Sequence, residues 1–285
     1  MQAPQAPSQH RMQLRGDYAQ TAPDYTVQQV WQQYSAEEHD IWRTLYTRQI
    51  KLAAAYATAE FIAGLELLGA NADKIPDFIA VNNKLSACTG WRIVAVPGLI
   101  PEEHFFAHLA KRQFPVSVWI RDRSELEYLS EPDLFHDFFG HVPMLTNSVF
   151  ARFVQAYGEA GPKAVTHKAV HMLARLYWYT VEFGLINTAQ GLKVYGAGIL
   201  SSQGETVYSV TSPLPHRIAF DLERVMRTEY LIDDYQQSYF VLDSLEQLFH
   251  AGYDVDFEPL YKQFADVKAI APSIVLPSDR LIRVA

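Results

Sequence analysis

The chain has one cysteine, Cys88, in 285 residues. That excludes an intramolecular disulfide and any zinc module built from cysteine pairs, and it suits a reducing compartment. No run of about 18 continuous apolar residues is present, so no membrane-spanning helix is expected. The N-terminus lacks an apolar stretch of signal-peptide length, and a soluble cytoplasmic protein is the expectation. Basic residues are scarce. Twenty-four Lys and Arg against 32 Asp and Glu leave a formal charge of −8, which argues against a nucleic-acid-binding face. There is no P-loop and no HExxH pair. Gly196-Ala-Gly198 lacks the third glycine and the βαβ setting of a dinucleotide loop. No internal repeat or sustained heptad is visible, and a monomer is expected.

Aromatic residues are plentiful. Sixteen Tyr, 16 Phe and 5 Trp stand within a chain that is 49% hydrophobic, enough for one large core. The most informative stretch is 131–141, EPDLFHDFFGH. Its two histidines, His136 and His141, sit among phenylalanines, and a neutral imidazole is the commonest protein ligand for a transition metal. On a continuous α-helix a five-residue step turns the second side chain about 140° away from the first. Convergence on one ion therefore requires the helix to end between them. Gly140 is the expected stop, with Pro132 opening a short helix over 132–139. On its own the pair has an ordinary alternative, since histidines are often satisfied core or surface residues.

A third donor stands in 176–186, LYWYTVEFGLI, where Glu182 is the one charge. A carboxylate in such a setting is costly unless paired or metal-bound. A salt bridge to Arg175 is the alternative. Two His and one carboxylate suit Fe(II) with open coordination positions.

The remaining chain alternates helices with short strands. Residues 1–24 are rich in Gln, Ala and Pro, and a disordered N-terminal tail is expected there, with a single domain over 25–285. Ser35 and Glu38 form a capping-box pattern that starts an interrupted helix running to Gly69. Pro76 is expected to open the next helix, which Gly90 ends. Residues 91–96 and 114–120 read as strands flanking a helix from Pro101. Helices follow near 148–160 and 164–186, separated by a break at Gly161-Pro162. Strands are expected at 192–195, 230–232 and 239–242. Helices are expected at 204–211, 221–228, 244–251 and 257–267. The fold class is mainly α with a few short β-strands, an α+β single domain.

EPDLFHDFFGHVP, LYWYTVEFGL and VYGAGILSS, in this order and spacing, resemble the pterin-dependent aromatic amino acid hydroxylases. VAVPGLIP and FPVSVWIR upstream fit too, and the resemblance covers about residues 30–250. Within the family the likeness is strongest to short bacterial members that hydroxylate L-phenylalanine to L-tyrosine. The resemblance implies a catalytic domain of that type, with Fe(II), a tetrahydropterin (tetrahydrobiopterin or a bacterial analogue) and O2 as co-substrate. It implies His136, His141 and Glu182 as metal ligands. Gly98, Leu99, Ile100, Phe105 and Asp137 are implied at the pterin, although most family members have Glu at the Asp137 position. Arg121, Pro132, Trp178 and Ser201 are implied around the substrate. Arg121 would grip its carboxylate with a planar fork that lysine lacks, and Ser201 would orient the first histidine. Val241 stands where the tyrosine-specific branch carries Asp. Each residue also has an ordinary reading: Phe105 and Trp178 as core, Asp137 and Arg121 as surface charges, Ser201 as a helix cap. Tyrosine or tryptophan hydroxylation is the alternative within the family, and zinc hydrolysis the alternative outside it.

Overall fold

The computed structural model of the chain describes residues 14–127, 129 and 131–283. Helix α1, Ala36–Tyr56, starts on the expected capping box, in which Ser35 and Glu38 satisfy each other's backbone N–H. The chain then bends at Ala57-Thr58. Helix α2, Ala59–Leu68, ends in Gly69 at φ 71. Helix α3, Phe78–Thr89, is capped by Asp77, whose side chain accepts from the Ile79 N–H. Pro76 lies before this cap and outside the helix.

Strand β1, Arg92–Val96, and strand β2, Gln113–Ser117, pair in parallel across the crossover helix α4, Glu102–Ala110. The expected strand over 114–120 stops early for a specific reason. Beyond Ser117 the chain turns, and the Trp119 carbonyl accepts from the Leu134 N–H at 2.8 Å. That bond ties the end of β2 to the histidine segment.

Helix α5, Ser148–Thr166, runs straight through Gly161-Pro162, where a break was expected. Gly161 belongs to an interhelical contact. A Cβ there would lie 2.3 Å from the Phe106 ring, so glycine lets α4 and α5 close. The break comes later, at Lys168 with φ 54, before α6, Val170–Tyr177.

The second half wraps a four-stranded sheet in the order β4-β3-β6-β5. Strand β3 is Leu185–Thr188, β4 Gly191–Val194, β5 His216–Ala219 and β6 Ser238–Leu242. Strands β3 and β4 form an antiparallel hairpin, while β6 runs parallel to both β3 and β5. Neither β3 nor β5 was expected, and 230–232 is an irregular connection instead of a strand. Short helices α7 (Ala197–Leu200), α8 (Gln203–Thr211) and α9 (Leu222–Met226) link the strands, and α10 (Leu245–Tyr253) and α11 (Phe257–Phe264) follow them. Among the described residues no helix is long and apolar enough to cross a membrane.

The core is aromatic where it supports the histidines. Phe135 and Phe139 stack at 4.9 Å, and Trp42 and Phe61 meet them edge-on at 5.5 Å. Such pairs add roughly 1 kcal/mol each beyond the area they bury, so they hold the backbone of 135–139 rigidly.

Of the expected tail, residues 1–13 lie outside the described residues, and 14–24 are mostly exposed but make specific polar contacts. Arg15 pairs with Asp122 and Glu125, Tyr18 bonds the Leu99 carbonyl, and the Asp24 carbonyl contacts His108. Polar side chains and backbone, which composition counts as disorder-promoting, are satisfied here by groups from distant parts of the chain.

Candidate active site

The histidine segment does not stop at Gly140. Residues His136–His141 form one π-helical turn that passes directly into a 3-10 turn over Val142–Thr146. The wider i→i+5 turn brings residues five apart onto one face, which an α-helix cannot do at this spacing. Gly140 has a packing role: a Cβ would meet the Ala197 Cβ and carbonyl oxygen at 2.9 Å. The carboxylate segment has the same form. Trp178–Glu182 is a second π-helical turn at the end of α6, with the Phe183 N–H reaching the Trp178 carbonyl at 2.7 Å.

Together these turns make a tight three-donor cluster. The Nε2 atoms of His136 and His141 are 3.3 Å apart. Glu182 Oε1 lies 3.0 Å from His141 Nε2, and Oε2 lies 3.5 Å from His136 Nε2. All the donor atoms fall within 4.8 Å of one another. Burial pushes the His136 imidazole down to about 4, so it is neutral near pH 7 with a lone pair available. Its Nδ1 is engaged by Ser201 Oγ at 2.9 Å, which leaves Nε2 facing the cluster. Burial works to raise the Glu182 carboxyl, but the His141 and His136 rings hold it below its ordinary value, as a carboxylate. Arg175, its alternative partner, instead reaches the Met226 carbonyl at 3.3 Å. Two imidazoles and a carboxylate converging through nitrogen and oxygen atoms fit a divalent transition metal well.

The cluster forms part of the wall of a cleft of about 360 Å³. Gly98, Leu99 and Ile100 line one side, and Phe105, Phe114 and Tyr177 present rings. Phe105 makes T-shaped contacts with Tyr177 at 5.6 Å and Phe114 at 6.4 Å. Asp137 also lines the cleft, where burial pushes its carboxyl up to about 7 against the pull of the Ser117 N–H at 2.8 Å. Pro132, Trp178 and Tyr230 complete the aromatic side. Trp178 is sandwiched between Tyr230 at 4.3 Å and Phe183 at 4.7 Å, and its indole N–H donates to Gln236 at 3.0 Å.

Three of the residues singled out in the sequence lie outside the cleft lining. Arg121 is not an exposed strand-end residue. It is 6% exposed, lies outside the cleft lining and is held by Asp133, with Nε–Oδ2 at 2.8 Å and Nη2–Oδ1 at 2.9 Å. Ser201 engages His136 Nδ1 from outside the lining, a contact that suits orientation of the ring. Val241 is 1% exposed inside β6, paired with Leu185 and Ala219, and touches no part of the cleft.

The residue that sequence reading missed is Asp133. It is fully buried and also accepts the His136 N–H at 3.0 Å. An Asp just after proline, three residues before the histidine, is an N-terminal capping signal. Tyr230 and Gln236 carry no comparable local signal.

Residues 2–255 match the biopterin-dependent aromatic amino acid hydroxylase family. The chain is 55% identical over 261 residues to the phenylalanine-4-hydroxylase of Chromobacterium violaceum, covering 92% of this chain and 88% of that protein. It is 51% identical over 260 residues to the phenylalanine-4-hydroxylase of Caulobacter vibrioides, covering 91% and 88%. The iron- and phenylalanine-bound crystal structure of the Chromobacterium violaceum enzyme superimposes with a TM-score of 0.88 at 53% identity, over 92% of this chain and 95% of that one. The chain therefore belongs to the biopterin-dependent aromatic amino acid hydroxylases.

Proposed function

We propose that the protein hydroxylates L-phenylalanine to L-tyrosine with O2, using a tetrahydropterin and Fe(II) held by His136, His141 and Glu182. The observation that carries this reading is the convergence of those three side chains within 4.8 Å in the wall of an aromatic cleft. The relatives that act on phenylalanine, and the related structure holding iron and phenylalanine, support the same reading. Bound Fe(II) and the tetrahydropterin together supply the two-electron activation of O2 that no side chain provides.

The protein's own part is binding and placement. Phe105 offers a ring to the pterin, and the backbones of Gly98 and Ile100 offer amide groups to its heteroatoms. Asp137, half-buried beside them, is placed to hold a proton or accept a hydrogen bond from the pterin edge. Trp178 and Pro132 enclose the substrate ring, with the Tyr230–Trp178–Phe183 stack fixing the indole plane. The buried Arg121–Asp133 pair adjoins this wall through Pro132, the chain neighbour of Asp133. Asp133 takes two Arg121 donors, and the remaining guanidinium N–H groups are the ones assigned to the substrate carboxylate. Aromatic walls exclude water, which strengthens these polar contacts.

The test is tyrosine formation from phenylalanine by the Fe(II)-loaded protein with a tetrahydropterin, with tyrosine and tryptophan as competitors. Absence of tyrosine, or full turnover without iron, would overturn the proposal.

A further inference from the structure

Several contacts from outside the cleft meet on the short loop 97–99. The Leu99 carbonyl accepts the Tyr18 hydroxyl at 2.8 Å. The Leu99 N–H donates to Glu131 Oε1 at 3.4 Å, while Glu131 Oε2 accepts the Arg15 N–H at 3.1 Å. Glu131 is 2% exposed, so this carboxylate is a buried bridge between the loop and segment 14–18. The Arg15 guanidinium lies 4.6 Å over the Trp119 ring and pairs with Asp122 at 3.0 Å and Glu125 at 2.6 Å.

The fit leaves no room for side chains. A Cβ on Gly16 would fall 1.7 Å from the Pro97 carbonyl oxygen. Gly98 has φ 152, and a Cβ on it would meet Glu131 Oε1 at 2.7 Å and the Tyr18 hydroxyl at 2.9 Å. Segment 14–18 is thus laid against the outer side of a loop whose residues 98–100 line the cleft. Burial, and then the Glu131 charge, push the Tyr18 phenol up to about 12, so it remains a donor at neutral pH.

We propose that Tyr18, anchored by Arg15, latches the Gly98–Ile100 backbone in the shape that receives the pterin, which makes Tyr18 a positioning residue for the cofactor. The inference rests on the pterin assignment of that loop made above. The physical reason is population. A loop that recognises a ligand through its backbone binds with an apparent affinity reduced by the fraction of time it holds the competent shape. An outer hydrogen bond to its carbonyl raises that fraction without touching the ligand.

The test uses the full-length, iron-loaded protein. Tyr18→Phe removes the hydroxyl and keeps the ring. Calorimetric titration with 7,8-dihydrobiopterin should show the dissociation constant raised about three- to ten-fold, the range expected for one lost hydrogen bond. The KM for tetrahydrobiopterin should rise in parallel, with phenylalanine KM, iron content and thermal midpoint unchanged. Arg15→Ala should act in the same direction and Arg15→Lys should recover part of the loss. Phe105→Ala is the control for the cleft. If it weakens dihydropterin binding and Tyr18→Phe does not, the latch is wrong and the pterin reading stands. If the unaltered protein does not bind dihydropterin, the pterin reading falls and the latch with it. If Tyr18→Phe lowers the thermal midpoint and shifts phenylalanine KM as much as pterin binding, the role is merely structural and the proposal is overturned.

Discussion

Asp133 holds Arg121 through both carboxylate oxygens, and it accepts the Arg121 backbone N–H at 3.0 Å as well. Burial alone would raise the Asp133 carboxyl, but the adjacent guanidinium, with the His136 and Arg121 N–H groups, keeps it below its ordinary value. With His136 N–H on Oδ1, one buried carboxylate links the arginine to the first histidine of the cluster. The residue proposed for the substrate carboxylate and the first proposed metal ligand are therefore held by the same side chain.

Arg121→Ala should destabilise the fold before it affects chemistry, because it strands a buried carboxylate. A buried pair broken on one side costs about 3–5 kcal/mol. Urea unfolding of Arg121→Ala and Asp133→Ala should both show losses of that size. Arg121→Lys should recover part of the stability, yet keep a raised phenylalanine KM, because an ammonium cannot serve Asp133 and a second carboxylate with a planar fork. Stability losses below about 1 kcal/mol in both alanine variants would contradict the burial argument.

Replacing His136, His141 or Glu182 with alanine should abolish iron-dependent turnover and strip iron during dialysis. Ser201→Ala should be milder, with iron affinity or activity reduced about 10- to 100-fold, since it removes only the partner of His136 Nδ1. Iron content by atomic absorption, measured on folded protein, distinguishes the two. Near-native iron in all three ligand variants would sink the assignment.

Glu205 offers a pH test away from the metal. Burial pushes its carboxyl from 4.5 up to about 7, despite hydrogen bonds from the Tyr239 hydroxyl and the Gln236 N–H. Asp234 and Tyr208 are the other titratable groups that interact with it. A carboxyl whose folded value is raised contributes stability that is fully present below its unfolded value and lost as pH rises through the folded one. The wild-type thermal midpoint should therefore fall between about pH 4.5 and 7 relative to Glu205→Gln, the difference corresponding to at most about 3 kcal/mol. Parallel pH profiles would show that Glu205 does not titrate in this window.

Gly140→Ala tests the π turn. Its Cβ would have to displace Ala197 from 2.9 Å. The π turn 136–141 should shift as a unit, lowering iron affinity along with stability. Near-native iron affinity at reduced stability would mean that the turn absorbs the strain without moving His141.

Much of the fold was legible because caps and apolar spacing are local. Ser35 with Glu38, Gly69 and Gly90 punctuate helices through bonds to residues three or four positions away. The metal donors were legible as types, since two histidines and one carboxylate in aromatic surroundings have few other uses. What failed was anything set by a distant partner. Strands β3 and β5 exist because β6 pairs with both. The polar contacts of 14–24 depend on partners such as Asp122, Glu125, Leu99 and His108, which composition does not reveal. The break expected at Gly161 was a helix contact with Phe106.

The sequence by itself determined which side chains could bind a metal and an aromatic ring, because donor chemistry belongs to the residue. Only the tertiary structure decided that they converge. A π turn differs from an α turn by one shifted backbone bond, a choice with no side-chain signature, and here it goes with Ala197 against Gly140 and the stacked rings of Phe135 and Phe139. The same holds for Arg121, whose charge was evident but whose orientation depends on Asp133, twelve residues away and brought close by the turn after β2.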